Sequence, residues 1–441
     1  MTVSRRALGF WTALALVVGN LIGSGVYLLP ANLAPLGANA LLGWLVTIAG
    51  AMCLAFVFAR LSARLPLAGG PYAYVNAAFG PVAGFAVAWS YWVMTWAGNA
   101  AVAIAVVSAL GLVFPPLIDT PGLAPIVALA LSWSLILVNI RGVALAGRVQ
   151  LVTAVLKLVP LAGVILLGGW LTLRGIGGGA GTIEVQPLAP AAITAGGIAT
   201  AAALTFWSFI GLESATIPAD KVENAARIVP RVTILGAGAT GLVYFLVAIA
   251  IAFLMPWQVT AASPAPLAEF LGREFGSGTG KVIALFAAIS AFGALNGFIL
   301  LQGEMPWAMA RGGVFPAWFA KESPQGTPAR AHLVSGVLVT LLMALNYGDR
   351  TGQLFSDIAT ISLAAGMVAY FASALAAIRL LPGDRMLATS ALVSAGFVLW
   401  MIWGLGLRAD LWGLGLMALG LPVYLLVRRD GAGRSAASQG S

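Results

Sequence analysis

The chain has 441 residues, of which 61% are hydrophobic and only 8% are charged, and its mean hydropathy is +0.99. Soluble domains carry about 25% charged residues, so this composition excludes an ordinary soluble protein. The formal net charge of +9 alone would suit a nucleic-acid-binding protein, but so apolar a chain fits a series of membrane helices of about 20 residues each. We therefore expect an all-α, polytopic membrane protein.

Twelve apolar segments in chain order are candidates for transmembrane helices. They cover residues 8–34, 40–63, 82–115, 122–140, 149–173, 190–217, 231–255, 279–310, 332–346, 354–379, 386–406 and 410–427. With a cytoplasmic N-terminus, 17 of the 23 Lys and Arg residues lie on the cytoplasmic side, 5 lie on the other side, and Lys157 lies inside the membrane. The positive-inside rule then predicts that both termini are cytoplasmic. The basic charge sets the topology, and no nucleic-acid partner is expected.

Residues for enzyme chemistry are scarce. The chain has one cysteine, Cys53, and one histidine, His332. A single cysteine excludes an internal disulfide and a thiolate metal cluster. One histidine and one cysteine are also too few ligands for a usual zinc site and make a Ser-His-Asp triad unexpected. We expect neither an enzyme nor a metal or cofactor. A channel would need repeated polar rings, which the sequence does not show, and a non-transporting receptor stays open as an alternative.

The first predicted span is interrupted within GNLIGSGVYLLP, residues 19–30. Gly23, Ser24 and Gly25 weaken a helix there, and Asn20 adds a polar side chain. At such a break the amide groups of the downstream half-helix carry partial positive charge, and glycine lets a ligand approach the backbone. These residues are therefore expected to cradle an anionic group such as a carboxylate. The alternative is that the small residues only allow close helix packing.

The sixth predicted span is interrupted in the same way, within SFIGLES at residues 208–214. Corresponding interruptions in two halves of a membrane chain indicate a transporter site built from discontinuous helices. An odd number of spans per half makes the two halves inverted repeats. We expect a single membrane domain with repeats over residues 8–174 and 190–380, two further helices over 386–427, and a flexible cytoplasmic tail over 430–441.

Three ionisable residues of the predicted spans are candidates for a functional or structural role. Glu213 follows the second interruption, where an acid marks a proton or ion path or anchors the structure. Lys157, in LVTAVLKLVPLAGVILL, is too far from either helix end to reach water easily, and it is either a fixed or titrating internal cation or a structural lysine. Glu304 is nearer a cytoplasmic helix end, so we expect a gate or a structural ion pair there.

Five stretches of the sequence resemble a known family. They are GNLIGSGVYLLPANLA, GGPYAYVNAAFGP, YWVMTWAGN, RVQLVTAVLKLVPL and TFWSFIGLESA. They resemble the amino acid–polyamine–organocation (APC) superfamily, and within it the basic amino acid/polyamine antiporters of the arginine/agmatine type. The resemblance implies twelve transmembrane helices with a LeuT-like five-plus-five inverted repeat, discontinuous helices 1 and 6, and alternating access around a midplane site.

The resemblance also assigns roles to individual residues. It places the carboxylate cradle on Ser24 and Gly25 with Asn20 nearby, and it makes Trp207 the aromatic cover of the ligand. Further pocket positions fall on Asn99, Ile210 and Ser362. An outer gate falls on Tyr91, Glu213 and Tyr370. A further gate position falls on Phe355, and an inner-gate tyrosine falls on Tyr72.

Three positions depart from the arginine/agmatine pattern. Phe298 replaces a tryptophan that stacks on the guanidinium, and phenylalanine is a weaker cation–π partner. Met94 and Thr95 replace a smaller pair and should reshape the far end of the pocket. Lys157 resembles the lysine of proton-coupled relatives, which predicts proton coupling through Lys157 and Glu213.

These observations predict a secondary active amino acid transporter of the bacterial inner membrane, most like an arginine/agmatine-type antiporter. The alternative is a proton-coupled permease for neutral amino acids with the same fold, which Phe298, Met94 and Lys157 favour. The expected partners are a small amino acid or amine and membrane lipid. Protons as coupling ions and a homodimeric assembly are left open.

Overall fold

The computed structural model describes residues 8–23, 25–176, 185–276, 278–346, 351–405 and 407–427. For residues 176, 346, 351–361, 405 and 407–410 only the backbone is described. The secondary structure of the described residues is helical, apart from one isolated β-bridge that joins Leu8 and Val222 in parallel. The prediction of an all-α membrane protein is confirmed.

The first half of the chain forms the helices α1 to α8. They are α1 (Phe10–Leu21), α2 (Gly25–Leu33), α3 (Ala38–Arg64), α4 (Pro71–Phe79), α5 (Pro81–Val113), α6 (Pro116–Asp119), α7 (Leu123–Arg141) and α8 (Val143–Ile176). The predicted first span is therefore two helices, because the described backbone on either side of residue 24 belongs to separate helices.

The second half forms the helices α9 to α17. They are α9 (Ala195–Phe206), α10 (Ala225–Leu254), α11 (Trp257–Ala262), α12 (Pro266–Phe275), α13 (Thr279–Arg311), α14 (Ala329–Asn346), α15 (Thr351–Leu380), α16 (Arg385–Leu405) and α17 (Leu407–Ala418). Short 3₁₀ turns at Trp207–Phe209, Ser214–Thr216 and Ala219–Lys221 follow α9.

The number of membrane spans is supported for most of the predicted segments. Within the described residues, ten helical segments are long and apolar enough to cross a membrane, counting each broken span once. Two shorter apolar helices, Ala329–Leu345 and Leu411–Val427, fall on the predicted ninth and twelfth spans. The predicted total of twelve is therefore not confirmed by length and composition.

The two interruptions have different local causes. After α1, the Ile22 amide still donates to the Val18 carbonyl, but the Gly23 amide donates only two residues back, to Leu21. After α9, the chain tightens into the turn Trp207–Phe209, and Gly211 then adopts φ +102°. Only glycine takes that left-handed conformation readily, so the helix cannot continue through this position.

Helix direction places the ends of the spans on two faces of the bundle. We call the end at which α1 begins the N-terminal face and the other end the opposite face. Leu8, just before α1, pairs with Val222, which follows the second break. Trp89 near the start of α5 packs against Phe315 just after α13. Thus α1 and α5 run away from the N-terminal face, whereas α9 and α13 run toward it.

Helix α15 also runs toward the N-terminal face. The Arg379 guanidinium near the end of α15 lies over the ring of Phe79 at the end of α4, 5.7 Å from its centroid. Because α4 leads directly into the start of α5, the end of α15 belongs to the N-terminal face. The long helix α13 packs chiefly against α5 and α8 and also contacts α1, and its Phe298 ring lies close to Gly211 in the second break.

Candidate substrate site between the two helix breaks

A small cavity of about 40 Å³ lies between the two helix breaks. It is lined from both breaks and from α5, α13 and α15, by Asn20, Leu21, Gly23, Gly25, Met94, Thr95, Gly98, Val102, Trp207, Ser208, Ile210, Ala294, Phe298 and Ser362. A volume of this size holds a few water molecules, so an amino acid must widen the cavity to enter it. The two interruptions that the sequence pairs across its halves therefore share one cavity wall.

The structure brings most of the predicted substrate-binding residues to this cavity. They are Asn20, Gly23, Gly25, Met94, Thr95, Trp207, Ile210, Phe298 and Ser362. Ser24 lies outside the described residues. These contacts define where a ligand can sit, and the role of each side chain in transport stays a prediction.

Asn99 does not line the cavity as expected. Its side chain is buried in α5, and Nδ2 donates to Oε1 of Gln302 on α13 at 2.8 Å. This bond joins α5 to α13, and Oδ1 of Asn99 is buried without a hydrogen-bond partner among the described residues.

The carbonyl groups at the first break are held by side chains from three other helices. Lys157 Nζ on α8 donates to the carbonyls of Gly19 and Ile22 at 2.7 and 2.6 Å. Tyr244 on α10 donates to the Leu21 carbonyl at 2.7 Å, and Ser290 on α13 lies within hydrogen-bond distance of the Ile22 and Gly23 carbonyls. The acceptors that the end of α1 leaves unpaired are thereby satisfied away from the cavity.

The proposed carboxylate cradle is narrower than the sequence predicts. The Gly23 amide is already used in its bond to Leu21, so Gly23 supplies space and not a donor. The first amides of α2 lack intrahelical acceptors and carry the positive end of the helix dipole. A Cβ atom on Gly25 would lie 3.2 Å from Cδ1 of Trp207 and 3.4 Å from Oγ of Ser208. Glycine therefore keeps the start of α2 open beside the indole.

The second break carries a buried acid between two tyrosines. Tyr91 on α5 donates to Oε1 of Glu213 at 2.5 Å, and Tyr370 on α15 donates to Oε2 at 2.8 Å. The amide of Gly211 reaches the Tyr370 hydroxyl at 3.4 Å. All three side chains are fully buried, so this cluster ties the second break to α5 and α15 through hydrogen bonds that are strong in an apolar interior.

This cluster lies on the N-terminal side of the cavity. Tyr91 precedes Met94 on a helix that runs away from the N-terminal face, whereas Glu213 and Tyr370 follow Ile210 and Ser362 on segments that run toward it. With the predicted cytoplasmic N-terminus, these residues form an inner closure. The predicted outer gate and the predicted cytoplasmic N-terminus therefore cannot both hold, because the structure places this cluster on the side of the cavity where α1 begins.

Tyr72 and Phe355 are the two remaining predicted gate residues. Tyr72 is buried on α4 at the N-terminal face, where Gly69, Ala308 and Gly312 leave room for its ring. Burial raises the pKa of the Tyr72 hydroxyl above its usual value. The position of Tyr72 fits the predicted inner gate. The side chain of Phe355 lies outside the described residues.

Five lining residues were missed by the sequence reasoning: Leu21, Gly98, Val102, Ser208 and Ala294. Ser208 is the one with a polar side chain. Ser208 is buried beside Trp207, and its hydroxyl oxygen lies close to the backbone of Gly25. It thus places a hydroxyl from the second break next to the start of α2. Its position directly after the ligand-covering tryptophan was the available signal, because a small polar residue within a helix break faces the opened backbone.

The cavity lining has a simple chemical character. Among the described lining residues there is no acidic or basic side chain, and the polar groups are hydroxyls and the amide of Asn20. Asn20 is itself held, donating to Ser214 at 2.8 Å and accepting from Gln150 at 3.2 Å. Charge in the cavity therefore comes from helix ends, with the start of α2 positive and the end of α9 negative. This arrangement suits a zwitterionic ligand.

Comparison with known proteins identifies a family for most of the chain. The family model described as "Amino acid permease" matches residues 8–407. The cadaverine/lysine antiporter of Escherichia coli strain K12 is 33% identical over 382 residues, which cover 85% of this chain and 84% of that protein. The putative arginine/ornithine antiporter of Bacillus subtilis strain 168 is 30% identical over 457 residues, covering 95% and 96%.

A third relative has a similar name. The arginine/ornithine antiporter of Pseudomonas aeruginosa is 32% identical over 348 residues, which cover 77% of this chain and 71% of that protein. All three relatives are named as antiporters, and each name includes a basic amino acid. The residues that the family model matches, 8–407, include both helix breaks and the cavity.

Proposed function

The chain belongs to the amino acid permease family, and from that membership we propose that it exchanges a basic amino acid for a related amine across the bacterial inner membrane. It is a multi-pass transporter of the basic amino acid/polyamine antiporter group. The observation that carries the proposal is the cavity between the two helix breaks, because it joins two opposite helix ends to a set of aromatic and hydroxyl groups. The substrates in the names of the relatives define the class to be tested.

The backbone of the substrate is proposed to lie between the two helix ends. Its carboxylate accepts hydrogen bonds from the first amides of α2, beside Gly25, where the helix dipole is positive. Its α-amino group faces the end of α9, where Trp207 and Ile210 follow the last helical residue and carbonyls are left without intrahelical donors. Trp207 covers the bound group because its indole already touches the open side of Gly25.

The side chain of the substrate is proposed to extend toward Thr95, Phe298 and Ser362. The ring of Phe298 attracts a cation only modestly, and the hydroxyls accept hydrogen bonds from an ammonium or guanidinium group. No carboxylate lines the described cavity, so binding of the cationic end is weak and its release is easy. Easy release from both faces is what an exchanger requires.

Transport is proposed to follow from rocking of the two broken spans against the helices around them. The repeats over 8–174 and 190–380 are related as inverted halves, with both termini in the cytoplasm, and residues 386–427 stand outside them. Tyr91, Glu213, Tyr370 and Tyr72 close the cytoplasmic side when the cavity opens outward. A homodimer and proton coupling through Lys157 stay predictions.

The alternative of a proton-coupled neutral amino acid permease is not favoured by the relatives. Lys157 was the residue that suggested it. In the structure the Lys157 ammonium holds two carbonyls of α1 and does not reach the cavity lining, so its position is equally suited to an exchanger. The same experiment separates the two functions.

The test is uptake into proteoliposomes that contain the purified full-length chain. Vesicles are loaded with L-arginine, L-lysine, 1,5-diaminopentane, L-alanine or buffer, and initial uptake of labelled L-arginine and L-lysine is measured. We expect uptake to be stimulated by internal basic amino acid or diamine and to be low with buffer or L-alanine inside. Labelled L-alanine uptake driven by a pH gradient into empty vesicles would favour the permease instead.

Two glycine variants provide matched controls. Gly25→Leu places a side chain against Trp207 and is expected to abolish uptake and substrate binding. Gly169→Leu adds the same side chain on an exposed part of α8, where a Cβ meets nothing within 4 Å, and should leave uptake unchanged. Equal uptake by wild type, Gly25→Leu and protein-free vesicles would refute a substrate site at the helix breaks.

A further inference from the structure

A buried ion pair lies at the N-terminal face, outside the cavity. Lys221 Nζ, in the turn that follows the second break, donates to Oε1 of Glu304 on α13. Their side chains are only 2% and 1% exposed. Glu304 was expected to form a gate or a structural ion pair. Its partner is Lys221, which belongs to the segment attached to the second break.

The surroundings of the pair suit an ammonium group. The Lys221 Nζ atom lies 4.9 Å from the ring centroid of Trp307, and the Arg311 guanidinium lies 5.1 Å from the same ring. The second carboxylate oxygen of Glu304, Oε2, is buried with no hydrogen-bond partner among the described residues. Oε2 of Glu304 can therefore accept a hydrogen bond from a primary ammonium group, which has three N–H donors. An indole face and a carboxylate together bind alkylammonium groups well.

The position of the pair connects it with the substrate cavity. Glu304 follows Gly297 by two helical turns and lies on the same side of α13. On that side, Gly297 packs against Asn20, which lines the cavity. Ala308, one turn beyond Glu304, packs against Gly69 just before α4. Glu304 is therefore placed between the cavity and the N-terminal face, next to the segments that must move apart to open this face.

The extended contact beside the pair links it to the start of α1. The Leu8 amide donates to the Lys221 carbonyl at 3.1 Å, and the Glu223 amide donates to the Leu8 carbonyl at 3.0 Å. Lys221 is thereby attached to both broken spans, whereas Glu304 is part of the long helix α13. Movement of the broken spans against α13 separates the ammonium from the carboxylate.

We propose that Glu304 and Trp307 form a second ammonium-binding site, which Lys221 occupies in this closed arrangement and a cationic substrate occupies when the N-terminal face opens. This inference rests on the proposed exchange of basic amino acids and amines. The Lys221 side chain ends in the same butylammonium group as lysine. A substrate that enters from this face therefore binds Glu304 before it reaches the cavity. When Lys221 returns to Glu304, it displaces the substrate toward the cavity and closes the face.

The binding site is tested without any transport step. Purified full-length Lys221→Ala and the double variant Lys221→Ala/Glu304→Gln are heated with n-butylammonium or with n-butanol. We expect n-butylammonium to raise the unfolding temperature of Lys221→Ala only, because the double variant lacks the carboxylate and wild type already holds Lys221 there. The neutral alcohol should act equally on all three proteins. An equal response to n-butylammonium in both variants, or none in Lys221→Ala, would overturn the site.

The use of this site by substrate is tested in oriented membrane vesicles, with the N-terminal face identified by protease access to an N-terminal tag. Glu304→Gln should raise the KM for L-lysine at the N-terminal face by about tenfold, as expected for loss of a charge-assisted hydrogen bond, and leave the KM at the opposite face unchanged. Lys221→Met should lower the KM at the N-terminal face, since no tethered ammonium competes.

Opposite effects of these two variants distinguish a substrate site from a structural pair. If Lys221 and Glu304 only stabilise the fold, both variants impair uptake at both faces in the same direction, and the proposal fails. Arg60→Met, which removes the exposed ion pair with Asp384, is the matched control and should change neither KM. The thermal assay and the proteoliposome exchange assay can fail separately. Failure of exchange with a retained n-butylammonium response would refute the proposed function and leave an amine site.

Discussion

The two helix breaks share one cavity but satisfy their freed backbone groups in opposite ways. At the first break, the Lys157 ammonium and two hydroxyls from α10 and α13 hold the carbonyls at the end of α1. At the second break, the chain contributes an acid, Glu213, which accepts hydrogen bonds from Tyr91 and Tyr370. The first break is thus held by donors on its neighbours, and the second holds its neighbours through an acceptor of its own.

This difference indicates which break is the more rigid. The Lys157 contacts join α8 to one place at the end of α1 through two short hydrogen bonds. The Glu213 contacts join the second break to α5 and α15 from opposite sides, and each can separate without leaving a backbone carbonyl unpaired. We infer that the first break is a fixed support and that the second is the closure that opens on the N-terminal side.

The largest expected effect is on the first break, through Lys157→Met. Methionine is apolar and cannot donate, so the Gly19 carbonyl loses its Lys157 donor in a fully buried place, at about 1–3 kcal/mol, and the Ile22 carbonyl keeps only the Ser290 hydroxyl. We expect a markedly lower unfolding temperature and little remaining exchange. Lys281→Met, at an exposed lysine of α13, is the control. Unfolding of Lys157→Met at the wild-type temperature would refute the inference that the first break is a fixed support.

The next effect separates the two breaks through their glycines. Gly211→Ala forces a Cβ into a left-handed conformation at φ +102°, which costs about 1–2 kcal/mol before any contact with Asn20 is counted. Gly23→Ala adds a Cβ that meets only Ala294, at 3.7 Å. We expect Gly211→Ala to lower the unfolding temperature and Gly23→Ala to leave it near the wild-type value. Exchange does not enter this comparison, because Gly23 lines the substrate cavity. Similar losses in the two variants would contradict the different local causes of the breaks.

A smaller effect is expected from the tyrosines at the second break. Tyr91→Phe and Tyr370→Phe each remove one donor to Glu213 and leave the other in place. We expect each to slow exchange by about tenfold, in line with the loss of one hydrogen bond to a charged or strongly polar group. The double variant should differ from the sum of the single effects, since both tyrosines contact one carboxyl group. Strict additivity would indicate that the two act separately.

The smallest effect is expected far from both breaks, at the exposed pair of Arg60 and Asp384. The Leu387 amide, donating at 3.0 Å, and then Arg60 hold the pKa of Asp384 below its usual value. This contribution to stability is therefore present above the ordinary pKa of an aspartate, and it is lost as the pH falls through the lowered value. Asp384→Ala should lower the unfolding temperature slightly at neutral pH and have no effect in strong acid. A loss as large as that of Lys157→Met would remove the contrast between buried and surface contacts.

Several features followed from the sequence because they depend on local composition. Hydropathy predicted a polytopic helical protein, since apolar segments of this length are stable only across a hydrocarbon layer. The glycines around residues 23 and 211 predicted both interruptions, because a helix is weakest where its backbone is least restrained. The helix-break pattern and the family resemblance together named nine residues that the structure places on one cavity.

Other expectations failed or stayed incomplete because they concern direction and partners. Asn99 was expected at the substrate and instead bonds to Gln302, 203 residues away in the chain. The tyrosine and glutamate cluster was expected on the outer side and lies toward the N-terminal face. The amide of Gly23 was expected to be free and is bonded to Leu21. A motif gives residue types and spacing, and it does not contain the rotation or direction of the helix that carries it.

The sequence by itself therefore determined the class of protein, the two weak points in its membrane helices and the residue types that surround them. Only the tertiary structure decided how the buried charges are paired. Lys157 meets carbonyls 138 and 135 residues away, Glu213 meets tyrosines 122 and 157 residues away, and Lys221 meets Glu304 across 83 residues. A charge buried in an apolar bundle must find a partner, but helix packing chooses which partner it finds.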